Sequence, residues 1–293
     1  MHWKDAESCG KALSELVVKA LIEEAELTPK PGLVDRNDSG AHEDLNFEKM
    51  IISANSLKST FRDIGIAAFL KKPSQDLRES IAEIGRHGEK KMFEATGGTN
   101  THKGAIWALG LLVASIAGQS QRTSLGRIAN SAGEIACFID RKAPQTSTNG
   151  SNVQKHFGVQ GARGEAQQGF PHVIEVALPV LREARERGLT ETLARLETLI
   201  HLIARVDDTC ILHRGGMDAL TSAKKSAETI IQLGGVSTSE GWRGLDQLEK
   251  TLLSYNASPG GSADLLAVVL FLDSVDAINS SALISERNRL ITI

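Results

Sequence analysis

Residues 104–118 are apolar on nearly every face of a helix: Ala105, Ile106, Trp107, Ala108, Leu109, Leu111, Leu112 and Val113 carry no hydrogen-bonding group beyond one indole. A helix without a polar side has to be enclosed by other helices. At about 15 residues the stretch falls short of the roughly 20 a membrane span needs. It therefore belongs at the centre of a helical bundle, and the rest of the chain must supply the surrounding layer.

The remaining periodicity does so. Leu13, Leu16, Val17, Ala20, Leu21 and Glu24 recur at the spacing of one helix face, all but the last apolar. They predict a first helix over 7–27, stopped by Thr28-Pro29-Lys30-Pro31-Gly32. Further helices are predicted over 47–70, 75–95, 101–118, 122–141, 165–187, 190–208, 215–233, 240–256 and 262–280. Pro144 to Gly164 reads as the longest polar loop. Alternation of useful strand length is absent, and an aromatic content of 4% is low for a large sandwich or barrel. The expected fold is all-α: one multi-helix domain over 1–293, with 280–293 as a C-terminal extension, ordered or disordered.

A net charge of -3 gives no whole-chain reason to bind nucleic acid or an anionic membrane. Cys9, Cys137 and Cys210 are far apart in sequence and read as reduced thiols. The first ten residues show no apolar signal segment, so a cytoplasmic protein is expected.

Function is sought where glycine, histidine and charge interrupt the helices. Five loops qualify: 28–36 with 40–44, 96–104, 158–165, 207–216 and 258–266. Glycines just before the helix starts near 97–104, 158–165 and 259–264 leave backbone N–H groups for an anion, and Lys103 and Arg163 add cations. One such loop alone is ordinary capping. Three in one chain, two with a cation, point to a polyphosphate, which normally brings Mg²⁺.

Neither the P-loop nor the dinucleotide-binding glycine pattern matches. Among the carboxylates Asp35, Asp44, Glu165, Asp207, Asp208 and Asp264, Asp207 continues the stripe of Leu193, Leu196, Ile200 and Ile203 and should point to the core or a cleft. Asp208 should share a helix face with His201 and Arg205. Of the histidines, His102 stands out, at a predicted helix start among Asn100, Thr101 and Lys103. No serine or cysteine nucleophile is signalled.

The stretches TPKPGLVDR, GAHEDL, GGTNTHKGAIWALGLL, GARGEA, DDTCILHRGG and SPGGSADLLA, in this order, resemble the triphosphoribosyl-dephospho-CoA synthase family. Leu212-His-Arg-Gly-Gly216 is more similar to the malonate decarboxylase branch than to the citrate lyase branch. The resemblance implies an all-helical, Mg²⁺-dependent transferase. It would join the triphosphoribosyl part of ATP to the 2′-hydroxyl of 3′-dephospho-CoA and release adenine. The product is the prosthetic-group precursor of an acyl carrier protein, so a downstream transferase and that carrier are implied partners; self-association stays open. Cys210 departs from the usual Asn, and Glu43 from the common Lys.

The reaction that the resemblance implies needs a base toward the 2′-hydroxyl, for which Asp35 and Asp44 are the candidates, and protonation of or a hydrogen bond to the leaving adenine, which His102 or Asn100 would supply. Substrate-binding candidates are Lys30, Arg36, His42, Asn100, Thr101, Lys103, Gly104, Arg163, Arg214, Gly260, Gly261 and Ser262. Glu165, Asp208 and Asp264 are the candidate Mg²⁺ ligands. The α-ribosyl product expected from a β-nucleoside fits one direct displacement. Two rival readings are an Mg²⁺-dependent hydrolase of ribosyl nucleotides and a non-enzymatic adaptor for an acyl carrier protein. The adaptor predicts that the five loops scatter.

Overall fold

The computed structural model describes residues 3–144 and 148–291, with side chains described as far as residue 280. Helix α1 (Ala6–Glu26) begins where Asp5 accepts the Ser8 N–H and the Ser8 hydroxyl accepts the Asp5 N–H. Its buried stripe of Leu13, Val17, Ala20 and Leu21 ends on Glu24.

The helix expected over 47–70 is two: α2 (Phe47–Ser56) and α3 (Lys58–Ala68). At the break the Ser56 hydroxyl donates to the Ser53 carbonyl at 2.7 Å, a local bond that competes with the helical ladder. α4 (Gln75–Thr96) ends at Gly97 in the left-handed conformation. α5 (Lys103–Ala117) is the apolar helix, with twelve of its 15 residues buried. It lies against α1, α3, α4, α6 (Leu125–Cys137), α8 (Gly161–Gln167) and α13 (Gly260–Ile291). At about 1.5–3 kcal/mol per fully buried leucine, isoleucine or valine, enclosure on all sides is the placement that satisfies such a sequence.

The long loop expected from 144 to 164 is mostly helical. α7 (Asn149–Phe157) opens on a reciprocal cap between Thr148 and Ser151, and α8 follows within a few residues. Residues 145–147 lie outside the described residues. The single helix expected over 165–187 is also divided. After α8, Gly169 and Phe170 turn the chain at positive φ. His172–Ala177 then forms a π-helical turn in which the Leu178 N–H bonds the Val173 carbonyl five residues back, before α9 (Leu178–Glu186). Pro179 has no N–H for the ordinary ladder, and the wider turn accommodates it.

α10 (Glu191–Arg205) stops before both aspartates, so the face shared by His201, Arg205 and Asp208 does not form. Asp207 is exposed and pairs with Lys224 rather than facing the core. α11 (Thr209–Gln232) starts earlier than expected because Asp208 caps it, and Gly216, at φ 69° and ψ -165°, kinks it. α12 (Ser239–Ser254) precedes α13. The expected extension continues α13 as backbone to Ile291; side chains past residue 280 lie outside the described ones. No strand occurs among the described residues, and one cluster of buried side chains runs from α1 to α13. No helix among them is long and apolar enough to cross a membrane.

Candidate active site

All five interrupting loops open onto one cleft of about 2300 Å³. Ordinary small-molecule pockets hold roughly 300–1,000 Å³, so this one has room for two nucleotide-sized ligands. Of the eighteen candidate residues, only Asp35, Arg36 and Ser262 do not line it.

Asp208 is 1% exposed and ties two helices together. Its Oδ1 accepts the N–H groups of Cys210 (2.9 Å), Ile211 (3.4 Å) and Gly261 (3.2 Å). Its Oδ2 accepts the Ser262 N–H (2.7 Å) and hydroxyl (2.9 Å). It thus caps α11 and α13 at once, using the free N–H groups that the sequence offered to a phosphate. Gly261, in the first turn of α13, lies against this carboxylate of the chain itself, where a Cβ would come within 3.1 Å of Oδ1. Burial pushes the Asp208 carboxyl up, against the pull of those bonds.

α5 repeats the device. A Cβ on Gly104 would lie 2.0 Å from Asp264 Oδ2, so glycine is required there to admit the carboxylate. The Ala105 N–H bonds Asp264 and favours its charge, but burial and the charges of Glu24 and Asp208 push that carboxyl well above its usual range. Glu24, the charge in the stripe of α1, holds Lys30: Lys30 Nζ reaches Glu24 Oε1 at 2.7 Å, with both side chains buried. The same ammonium donates to the Glu24 carbonyl at 2.9 Å.

His102 precedes α5 and is 2% exposed. Its Nδ1 lies 2.7 Å from Ser53 Oγ, which also bonds the Thr101 hydroxyl. Nε2 is buried and has no hydrogen-bond partner among the described residues. Burial first, then the Lys30 charge, lowers the pKa of His102 to about 3, so the ring is neutral near pH 7. A neutral ring suits hydrogen bonding to a leaving adenine rather than transfer of a proton from an imidazolium.

His42 contrasts with it. Arg214 Nη2 approaches Nδ1 at 3.0 Å, and an arginine can only donate, so Nδ1 is the acceptor. Nε2 then carries the proton and donates to Ser258 Oγ at 3.0 Å. Arg214 also holds the Ala41 carbonyl at 2.6 Å, so this pair stitches two loops together at the cleft edge. Burial, then Arg214, lowers the His42 pKa to about 4.

Other expectations divide. Asp35 folds its own loop, accepting the N–H groups of Lys30 (2.9 Å), Asn37 (2.6 Å) and Asp38 (3.2 Å), and lies off the cleft. Arg36 pairs with Glu26 at 2.6 Å over the Phe47 ring, also off the cleft. Ser262 is buried behind the cleft wall against Asp208. Asp44 stands exposed on the cleft, 3.9 Å from His42 Nδ1. Asn100 caps the Lys103 N–H at 3.3 Å, and Lys103 pairs with Glu89 at 2.9 Å. Arg163 is exposed on the cleft and makes no ion pair with the described residues. Gly260 packs against Cys210, whose thiol is pushed well above its usual value by burial and then by Asp208 and Asp264. A thiol so held is a poor nucleophile.

Among the described residues no three histidine, cysteine, aspartate or glutamate side chains are grouped to hold a metal ion. The trio of Glu165, Asp208 and Asp264 is thus not one site. Glu165 is taken by His172, through its N–H (3.0 Å) and Nδ1 (2.6 Å), and Asp208 by five donors. Asp264 is the carboxylate that fits: it is half-buried on the cleft, crowded by like charge, and eased by any added cation. Mg²⁺ needs only one or two carboxylates when phosphate oxygens complete its shell.

Glu24, Ser53, Arg78 and Trp107 also belong to this region, and sequence reasoning did not single them out as functional. Glu24 carries a charge at a helix position whose neighbours one and two turns before it, Val17, Ala20 and Leu21, are buried and apolar; Arg78 has only Ile81 of that kind one turn on.

The family model described as CitG: ATP:dephospho-CoA triphosphoribosyl transferase matches residues 10–282. A probable 2-(5″-triphosphoribosyl)-3′-dephosphocoenzyme-A synthase of Pseudomonas fluorescens is 47% identical over 279 residues, covering 94% of this chain and 96% of its own. Proteins of the same description from Azotobacter vinelandii and Stutzerimonas stutzeri are each 46% identical, covering 92% of this chain and 93% of theirs. These matches do not separate the malonate decarboxylase branch from the citrate lyase branch. No solved structure matches.

Proposed function

The chain belongs to the ATP:dephospho-CoA triphosphoribosyl transferase family, and from that premise we propose how its cleft carries the reaction. The enzyme transfers the triphosphoribosyl part of ATP to dephospho-CoA. The observation that supports doing so in this cleft is the meeting of all five glycine- and charge-bearing loops on one space large enough for both substrates. An adaptor would need no such convergence.

The reaction forms a C–O bond between the acceptor 2′-hydroxyl and C1′ of the ATP ribose, and breaks the C–N bond to adenine. The electron pair of the C–N bond leaves with the base, and the hydroxyl proton must be taken up. Asp44, exposed on the cleft and next to neutral His42, is the remaining aspartate candidate for that proton, since Asp35 is consumed by its loop. His102 Nε2, without a partner and on a neutral ring, hydrogen-bonds the departing adenine or a ribose oxygen. Ser53 holds the other ring nitrogen and so fixes the ring plane. A direct displacement needs no enzyme nucleophile, and Cys210 is not poised to be one.

Asp264 would hold Mg²⁺ together with triphosphate oxygens. The ion, when bound, neutralises charge on the triphosphate and on Asp264. Lys103 and Arg163 face the same anion from the cleft walls. A cytoplasmic setting and the malonate decarboxylase branch complete the reading; the branch rests on Leu212-His-Arg-Gly-Gly216.

The test is adenine release from ATP and Mg²⁺, with and without dephospho-CoA. Release that requires dephospho-CoA is the expected result. Release that ignores it would make the protein a hydrolase and sink the proposal.

A further inference from the structure

Arg78 is a buried cation with nothing to hold. It is 9% exposed, its Nε is buried without a hydrogen-bond partner, and its guanidinium makes no hydrogen bond or ion pair with any described residue. A buried charge left this way is costly unless something else binds it. The nearby carboxylates are already taken: Glu79 by Arg141 at 2.6 Å, and Asp140 by Arg86.

What Arg78 does have is a backing. Its guanidinium carbon lies 4.9 Å from the centroid of the Trp107 ring. Trp107 is itself fixed, its Nε1 donating to the Ala162 carbonyl at 3.3 Å. The next residue, Arg163, stands on the cleft without an ion pair among the described residues, and all three side chains line the same cleft. Trp107 is four residues beyond Lys103 on α5, about 6 Å along the helix. The cluster is thus one turn deeper than the helix start at which Asp264 and His102 sit.

We propose that Arg78, backed by Trp107 and joined by Arg163, is an anion subsite that grips the phosphate chain of one of the two substrates. A guanidinium stacked on an indole presents its free edge as a planar fork, the geometry that pairs with two phosphate oxygens. Two unpaired arginines at one place match a chain of linked phosphates better than a single carboxylate. Burial pushes the Arg78 pKa down, helped by the Arg163 and Arg86 charges and only partly opposed by Asp140 and Glu79, and an incoming anion would offset that burial. Both substrates carry such a chain, a triphosphate in ATP and a diphosphate in dephospho-CoA. The assignment of either to this subsite rests on the transferase reading.

The test has a binding arm and a kinetic arm. Pyrophosphate and tripolyphosphate are titrated into the full chain while tryptophan fluorescence is followed, with Trp107→Phe identifying the reporting ring. Arg78→Gln and Arg163→Gln are expected to weaken binding about 10- to 100-fold, as for lost charge-assisted bonds. In the kinetic arm the same variants raise one KM by a similar factor with a smaller change in kcat. A rise in the ATP value assigns the triphosphate, and a rise in the dephospho-CoA value assigns the diphosphate. Unchanged anion binding, or unchanged KM for both substrates, overturns the subsite. If Arg78→Gln fails to fold, Arg78→Lys, which keeps the charge but loses the fork, and Arg163→Gln carry the same comparison. Wild-type protein that releases no adenine with dephospho-CoA present would remove the transferase reading alone, because pyrophosphate binding still reports on Arg78.

Discussion

At the wall where α11 meets α13, both oxygens of Asp208 are matched by five donors, and Gly261 leaves room for that carboxylate. At the wall made by α4 and α5, the His102 ring and the Arg78 guanidinium each keep a buried nitrogen with no partner. The two walls face one cleft, yet one is complete without a ligand and the other is not. Polar groups that fold a protein are satisfied within it. Buried polar groups left unsatisfied carry an unpaid desolvation cost, and a ligand is the natural way to meet it.

If that contrast holds, the largest effect falls on stability at the first wall. Asp208→Ala strands the N–H groups of Cys210, Ile211, Gly261 and Ser262, and about 3–5 kcal/mol should be lost in urea denaturation. A loss under ~1 kcal/mol would show that the carboxylate is not the clasp it resembles.

At the second wall the same experiment should show little, and kinetics should show much. His102→Ala is expected to lower kcat about a hundredfold, the order seen when one preorganised donor is removed, with a near-normal urea midpoint. Equal losses in stability and rate would merge the two walls into one structural unit.

A third outcome separates them by pH. In the folded protein the pKa of His102 is lowered to about 3 and that of His42 to about 4, below the ordinary histidine value of 6.5. The unfolded chain therefore binds more protons in that window, and stability falls as pH drops from 6.5 toward 4 and then 3. Asp208 and Asp264 act in the opposite sense, since their raised values favour the folded state at low pH and cost stability as pH rises through them. His102→Gln should flatten the histidine part of the acid-side decline, read as urea midpoints between pH 6.5 and 4. An unchanged slope would mean the ring is not held neutral.

The smallest effect is expected away from both walls. Arg36→Ala removes an exposed pair with Glu26, so less than about 1 kcal/mol should be lost and the KM for ATP should not move. A several-fold rise in that KM would place the cleft edge further out than its lining residues do.

The motifs meet on one cleft, but part of the reasoning from them does not hold. Asn100-Thr-His-Lys-Gly104 and Ser258-Pro-Gly-Gly-Ser-Ala-Asp264 were legible as sites because glycine, histidine and charge interrupt helices there. The expectation that their N–H groups await a phosphate fails at α13, where Asp208, 53 and 54 residues away in sequence, takes them. Nothing in either segment announces that partner. Glu24 was legible in principle, as a charge standing in the buried apolar stripe of α1, whereas Arg78 has only Leu77 and Ile81 beside it and no such stripe to mark it. Such a charge is either misplaced or functional, and the pattern alone does not say which.

Periodicity by itself determined the helical class, the central place of α5 and most helix positions, because amphipathic spacing and proline or glycine stops act within a few residues of the chain. It placed breaks less well at Leu57 and at the π turn of 172–177, where a serine back-bond and Pro179 act on a finer scale. Which carboxylates are spent and which remain was decided by tertiary structure alone. Asp35, Asp208 and Glu165 are consumed by neighbours, while Asp264 and Asp44 face the cleft. The reason is physical: the local pattern fixes a residue's helix and face, but hydrogen-bond satisfaction is settled only when distant segments meet.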